Sequence, residues 1–454
     1  MLWTIKELAN WFSDIQGNVD PTVEIQEVNT DSRLKVRNSL FIPLIGENFD
    51  GHQFVEQAIE NGAVAIFWKK DKELPSSISS DIPVFMVEDT LNALQRLARN
   101  YRDEVNPIVI GITGSNGKTT TKDLVASMAM SSYVTHYTNG NFNNHIGLPL
   151  TILSMKRNTE VLVLEMGMSN FGEIETLSKI AKPDHAIITN IGESHIEFLG
   201  SREGIAKAKM EIVHGLKENG TIIIDGDEDL LRSLHQKPNT VTCGFNDGND
   251  YKIVDAKVTV KETIFKLADD AIYHVPLLGK HHAKNATFAI ALGEQLGIKK
   301  DQRKQALLSV QRTSMRFELI KGVNDVSIIN DAYNASPTSM RAAIEVVKEL
   351  SGFTDKVLIL GDVLELGEHA KQLHQTVAEV VESPITALFT IGEHAKVISQ
   401  TVNREKANFI KTEHFHSKEE LLESLQPYLN NESLLLFKAS RGLKFESLVN
   451  ELTD

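Results

Sequence analysis

The chain of 454 residues carries a single cysteine, Cys243. An internal disulfide is therefore excluded, and a lone thiol fits a reducing, cytoplasmic compartment. One Cys and three Trp also leave no plausible cage of the zinc type. Positive charge is in short supply: 47 Lys and Arg against 61 Asp and Glu give a net charge of -14. That balance argues against a nucleic-acid partner, so any cations that bind anions must be gathered locally. No apolar run reaches the ~18 to 20 residues of a transmembrane helix, and no membrane insertion is expected. The first twelve residues, MLWTIKELANWF, read as an amphipathic helix and not as a signal peptide. Glu7 and Asn10 interrupt them, and no small-residue cleavage site follows.

What the chain does have is GITGSNGKTTT, residues 111–121, directly after the apolar run Ile108-Val109-Ile110. A strand that ends in a glycine-rich turn and opens a helix is a phosphate cradle. Gly114 and Gly117 let the backbone bend so that successive N–H groups, those of Ser115 and Asn116 among them, point at a phosphate. Lys118 can reach the β- and γ-phosphates, and a hydroxyl from Thr119 or Thr120 can ligate Mg²⁺. The strict pattern places a glycine where this chain has Ile112, so the loop is an ATP-type cradle of shorter glycine spacing.

Length alone implies two or three domains. Residues 1–82 read as a small α/β unit, with strands at Ser39-Leu40-Phe41-Ile42-Pro43-Leu44 and Ala63-Val64-Ala65-Ile66-Phe67 around a helical stretch at 52–61. The polar residues 71–81 look like a boundary loop. Residues 83–312 form the nucleotide-binding part. Strand-like runs before helices, at 108–112, 161–165, 186–190 and 221–225, imply a mainly parallel sheet covered on both faces. Short alternating runs between 240 and 278 imply an antiparallel meander attached to it. An alanine-rich helix is expected at 283–296. Residues 313–454 repeat the strand–helix rhythm at 327–329, 357–360, 387–391 and 434–437, a second Rossmann-like unit. The fold class is α/β, in three domains.

Polar clusters follow several of these strands. Glu165 ends an apolar strand, where a P-loop enzyme finds a second protein ligand for its magnesium. His195, in Gly192-Glu193-Ser194-His195, reads equally as a ligand or as a satisfied loop histidine. Lys207 and Lys209 lie on an expected helix and, without other information, read as surface residues. In the last part the polar strand ends are Asn330-Asp331-Ala332-Tyr333-Asn334, Gly361-Asp362, Gly392-Glu393 and Lys438-Ala439-Ser440-Arg441.

Taken in order, these segments resemble the Mur ligases, ATP-dependent amide-bond-forming enzymes of bacterial cell-wall precursor synthesis. The likeness rests on GSNGKTTTK, on Asn141-Phe142-Asn143-Asn144-His145-Ile146-Gly147-Leu148-Pro149, and on Glu165-Met166-Gly167 with Gly192-Glu193-Ser194-His195. It continues in Asn330-Asp331-Ala332-Tyr333-Asn334-Ala335-Ser336-Pro337 and Leu360-Gly361-Asp362-Val363-Leu364-Glu365-Leu366-Gly367. The Asn-Pro-Arg sequence with which the diaminopimelate-adding relatives hold their amino acid follows no strand here.

The resemblance implies that ATP drives D-alanyl-D-alanine onto UDP-N-acetylmuramoyl-tripeptide through an acyl phosphate. The products are UDP-N-acetylmuramoyl-pentapeptide, ADP and phosphate. It also implies two magnesium ions, with Thr119 and Glu165 on one and His195 on the other. Lys209 matches a lysine that many relatives carry as a carbamate, an anionic magnesium partner. Catalytic roles then fall to Lys118, His195 and Lys209. Asn285 matches an adenine-side position, Arg316 one near ATP at the domain boundary, and Asp331 a ribose contact. Ser32, Arg33, Gly46, Asp50, Asn144 and Asn334 become candidate substrate contacts. Lys438, Ser440 and Arg441 become candidates for meeting the dipeptide, although Ala439 stands where the family more often has Gly. The expected partners are these small molecules, with the chain acting as a monomer. Two rivals stay open: another ligase of the superfamily, such as a folylpolyglutamate synthase, and a P-loop kinase or non-catalytic nucleotide-binding protein.

Overall fold

A computed structural model describes residues 2–453 apart from 19, 312, 407 and 408. The expected N-terminal helix is mostly replaced. Trp3–Thr4 is extended and pairs antiparallel with Glu24–Ile25. Thr4 then closes a capping box with Glu7, so the helix shrinks to Ile5–Ala9. Met1 lies outside the described residues.

The first domain is a five-stranded sheet in the order Ile15–Gln16, Val84–Val87, Ala63–Lys69, Ser39–Phe41, Glu27–Asn29. Val84–Val87 pairs in parallel with Ala63–Lys69, so this sheet crosses the expected boundary at 82. Residues 71–81 therefore connect two neighbouring strands and are not an interdomain linker. The helical stretch expected from 52 begins as a 3-10 turn, Gly51–Phe54, capped by Asp50, and becomes α-helical at Val55–Glu60.

Asp89 caps the long helix Thr90–Val105, and left-handed Asn106 ends it. Tyr101 on its inner face donates its hydroxyl to the Met155 carbonyl and packs edge-on against Trp3 at 4.9 Å. This helix thus carries the first domain against the second.

The central sheet has nine strands, ordered Ile272–Val275, Thr263–Leu267, Tyr251–Val258, Thr240–Gly244, Thr221–Asp225, His185–Ile188, Ile108–Thr113, Val161–Glu165, Thr135–Tyr137. The last seven in that order are parallel, and the first two add the antiparallel meander. Both faces are covered. Val109 points into a core that includes Leu94, Leu97 and Tyr101, whereas Ile110 and Ile112 point into one with Leu124, Val125 and Phe288. Burial on both sides is why these strands read as unbroken apolar runs, each large side chain contributing ~1.5–3 kcal/mol. The alanine-rich helix is Lys280–Gln295; small side chains let it pack closely on Lys118–Met130.

The C-terminal sheet runs Glu318–Lys321, Ser327–Asn330, Ser433–Lys438, Asp355–Gly361, Ala387–Ile391, Lys411–Phe415. Only its first strand is antiparallel. The first parallel strand in sequence, Ser327–Asn330, lies beside the last, Ser433–Lys438, so Asn330 stands opposite Phe437. The expected central–C-terminal boundary residue, Arg312, lies outside the described residues, as does Asp454. Among the described residues no helix is long and apolar enough to cross a membrane.

Candidate active site

The cradle forms after Ile108–Thr113, where the central sheet reverses its winding: the strand lies between Val161–Glu165 and His185–Ile188. Gly114 and Gly117 adopt φ of 150° and 78°. A Cβ on Gly114 would lie 1.9 Å from Thr189 Oγ1, so only glycine fits. The neighbouring strand end pins the loop. Asn116 N–H donates to Asn190 Oδ1 at 2.8 Å, and Thr189 Oγ1 donates to the Asn116 carbonyl at 2.6 Å. Lys118 opens the helix Lys118–Met130 and folds back over the loop, its Nζ donating to the Gly114 carbonyl at 2.7 Å. Burial among protein atoms lowers the Lys118 pKa, Glu165 opposes the shift and Arg316 adds to it.

A cleft of about 470 Å³ opens above the loop, between the central and C-terminal domains. Its floor holds Glu165, which is only 3% exposed. Asn143 donates to Glu165 Oε1 at 2.9 Å, whereas Oε2 has no hydrogen-bond partner among the described residues. Thr119 Oγ1 accepts from Arg316 Nη2 at 3.2 Å. His195, at φ 63°, places Nδ1 2.6 Å from a carboxylate oxygen of Glu365 in the C-terminal domain. Contact with His195 holds the Glu365 carboxyl below the usual carboxylate range.

Lys209 overturns the surface reading. It sits on the buried face of Arg202–Met210 with 2% of its surface exposed, whereas Lys207 faces solvent. Among the described residues no hydrogen bond or ion pair reaches the Lys209 amine. Burial, and then repulsion from Lys118, pushes its pKa well below the ordinary lysine value.

The C-terminal domain closes the cleft with its own switch point. Adjacent strand ends bring Lys438 Nζ to 2.5 Å from Asp331 Oδ2, a buried pair that also donates to the Asn334 carbonyl at 3.2 Å. Two ties hold this domain against the cradle. Ser336, the cap of helix Pro337–Glu349, donates to Asn116 Oδ1 at 2.9 Å. Thr338 in the first turn of that helix bonds the Glu193 carboxylate. Arg316 enters from a strained segment: Met315 and Phe317, on either side of it, have φ of 58° and 51°. Such left-handed backbone costs roughly 1–2 kcal/mol per non-glycine residue.

Family models match in sequence order: the Mur ligase family catalytic domain at residues 24–102, the Mur ligase middle domain at 112–293 and the Mur ligase glutamate ligase domain at 315–441. The chain belongs to the Mur ligase family. It is 46% identical over 99% of its length to the UDP-N-acetylmuramoyl-tripeptide--D-alanyl-D-alanine ligase of Bacillus subtilis, covering 98% of that protein. A crystal structure of MurF from Acinetobacter baumannii matches with a TM-score of 0.88 and 30% identity, over 99% of this chain and 98% of that one. MurF ligase from Thermotoga maritima, solved in complex with ADP, matches at TM-score 0.81 and 30% identity, over 94% and 96% of the two chains.

Within this Mur ligase the cleft gathers Ser115, Asn116, Gly117, Lys118, Thr119, Thr120, Asn144, Glu165, His195, Asn285, Arg316, Asp331, Asn334 and Lys438. Gly114 supports them from behind through the Lys118 bond. Other expected residues lie elsewhere. Ser32 donates to Gln57 Oε1 at 2.8 Å, Arg33 pairs with Asp31 in solvent, and Gly46 N–H closes a tight loop onto the Phe49 carbonyl. The Asp50 carboxylate is shared by His52 and Lys72, each at 2.6 Å. Ser440 joins two loops of the C-terminal domain, its Oγ accepting from Leu364 N–H at 2.9 Å. Sequence reading named no role for Asn143, Glu193, Tyr333, Ser336 or Thr338. Four of these lay inside segments already quoted for the family likeness, and Thr338 follows one directly.

Proposed function

We propose that this Mur ligase uses ATP to join D-alanyl-D-alanine to UDP-N-acetylmuramoyl-tripeptide, giving the pentapeptide, ADP and phosphate. The observation that carries the reading is the cleft itself, in which a phosphate cradle is closed by the Asp331–Lys438 switch point of a second nucleotide-type sheet. The near full-length likeness to a ligase of that name in Bacillus subtilis supports the choice of substrates.

A carboxylate is a poor acyl donor, so the γ-phosphate is first transferred to it, and the dipeptide amine then attacks the acyl phosphate. Two anions meet in the first step, and fixed cations must offset their repulsion. Lys118 supplies one and Arg316 another, both set into the cleft before substrate arrives. The orphaned Glu165 Oε2 and the Thr119 hydroxyl are oxygen donors that would hold a magnesium ion. His195 and Lys209, as a carbamate, would serve a second ion. Among the described residues no cluster of three or more His, Cys, Asp or Glu forms a closed metal cage. Magnesium held there would offset charge on the transferring phosphoryl group. Lys209 has the properties a carbamate needs: a buried amine whose neutral form is favoured and which no acidic partner occupies. Asn285 and Asp331 are set to meet the adenosine part, and Asn144, Asn334 and Lys438 the acceptor and dipeptide side. Ser32, Arg33, Gly46 and Asp50, with exposed Leu34, Ile45 and Phe49 nearby in sequence, serve the UDP end from the first domain. Docking of the C-terminal domain keeps water from the acyl phosphate. The reading sets the reaction in the cytoplasm and takes the chain to act as a monomer.

Mass spectrometry of the nucleotide product tests this. ATP, the dipeptide and each tripeptide precursor, with lysine or diaminopimelate in third position, are incubated with the protein. A pentapeptide product with phosphate release that requires the dipeptide is expected. Phosphoryl transfer without any amine, or ligation of glutamate in place of the dipeptide, would overturn the reading.

A further inference from the structure

Arg316 is a charged side chain with an unusual anchor. Among the described residues no carboxylate pairs with it, and its Nε is buried without a hydrogen-bond partner. Its backbone is pinned on both sides: Met315 N–H donates to Glu318 Oε2 at 3.1 Å and Phe317 N–H to Asp331 Oδ1 at 3.2 Å. The side chain beyond that backbone is long and would sample many rotamers. What fixes it is the face of Tyr333, whose ring centroid lies 4.0 Å from the Arg316 guanidinium carbon. Tyr333 is held in turn by its own N–H, which donates to the Met315 carbonyl at 3.3 Å.

The choice of an aromatic anchor matters chemically. A carboxylate would hold Arg316 equally firmly, but it would neutralise the guanidinium and compete with an incoming phosphate for its N–H donors. A ring face attracts the cation through its quadrupole and uses none of the in-plane donors. Thr119 Oγ1, 3.2 Å from Nη2, shows where those donors point: at the first turn after the phosphate cradle.

We propose that Tyr333 is a positioning residue that holds the Arg316 guanidinium, charged and unpaired, over the phosphate cradle. Docking of the C-terminal domain then delivers a ready-made cation to the nucleotide triphosphate. This deepens the proposed function and rests on its use of ATP.

The test uses Tyr333→Phe, Tyr333→Leu and Tyr333→Ala in the full chain. Affinity for a non-hydrolysable ATP analogue is read by calorimetry, and kcat and KM for ATP by phosphate release. The leucine fills volume without offering a ring face, which separates positioning from packing. Leu and Ala should each weaken analogue binding or kcat about tenfold, and Phe should restore it to within about threefold. In an Arg316→Ala background, Tyr333→Leu should add no further loss. Leucine performing as well as phenylalanine overturns the proposal. So does phenylalanine failing as badly as leucine, or independent multiplication of the two losses. A wild-type protein that neither binds the analogue nor consumes ATP instead overturns the proposed function. Normal wild-type behaviour with all three variants unchanged rejects the positioning role alone.

Discussion

Glu193 of the central domain accepts both the hydroxyl and the backbone N–H of Thr338 in the C-terminal domain, at 2.5 and 3.3 Å. A carboxylate therefore caps a helix that belongs to another domain, where the positive end of the helix favours it. The tie lies two residues from the Ser336–Asn116 bond, so helix Pro337–Glu349 is docked directly on the phosphate cradle.

Breaking that tie should loosen docking without unfolding either domain. A hydrogen bond to a charged group is worth ~1.5–3 kcal/mol, which corresponds to roughly a ten- to hundredfold shift in the docked population. Glu193→Ala is expected to lower kcat by about tenfold or more and to enlarge the radius of gyration in solution scattering. An unchanged radius together with an unchanged kcat would show that docking does not depend on this contact.

Lys118→Ala should reduce turnover by about 10²–10³, the usual consequence of losing a fixed donor at developing charge. Thermal stability should hold or rise, because burial already disfavours the ammonium in the folded state. Turnover within a few-fold of wild type in a folded variant would mean that Lys118 does not meet the phosphates.

Lys209 is expected to act through a negative charge. Lys209→Ala should lose activity and recover part of it in acetate or formate, which can occupy the vacated space. Lys209→Arg should fail without rescue, since it keeps the cation and cannot take up CO₂. Full activity in the arginine variant would rule out the carbamate.

Glu165→Gln should raise the magnesium concentration needed for half-maximal rate and lower the rate at saturation by about 10². A chelator should abolish turnover in wild type, and added magnesium should restore it. A magnesium response identical to wild type in Glu165→Gln would remove this carboxylate from the metal site.

His374 links stability to pH. It is fully buried, its Nε2 accepts the Val363 N–H at 3.0 Å, and its Nδ1 faces the Ala370 carbonyl at 2.7 Å. Burial lowers its pKa below the ordinary 6.5. Below pH 6.5 the unfolded chain takes up a proton that the folded chain refuses. This contribution is therefore whole above that pH and lost as pH falls, at up to about 1.4 kcal/mol per pH unit until the folded His374 titrates. Unfolding midpoints measured from pH 7.5 to 5 should fall less steeply in a folded His374→Gln variant.

Much of this molecule is legible along the chain because its causes are local. Doubly buried parallel strands must be apolar throughout, which marks 161–165, 221–225 and 434–437. Gly114 and Gly117 announce the cradle because the backbone there needs glycine. Short-range chemistry also explains the errors: a capping box at Thr4 cut the first helix short, and Asp50 turned the start of another into a 3-10 turn. What the chain could not announce is adjacency. Nothing local in Lys209 tells a solvated helix face from a buried one, and nothing in Val84–Val87 says which sheet it will join. Strand order put Asp331 beside Lys438, and domain docking put Thr338 on Glu193 and Arg316 on Thr119. Those pairings span about one hundred to two hundred residues of sequence. Local propensity determined the elements and the cradle, whereas the burial of sheet faces and domain surfaces decided which distant charges share one cleft.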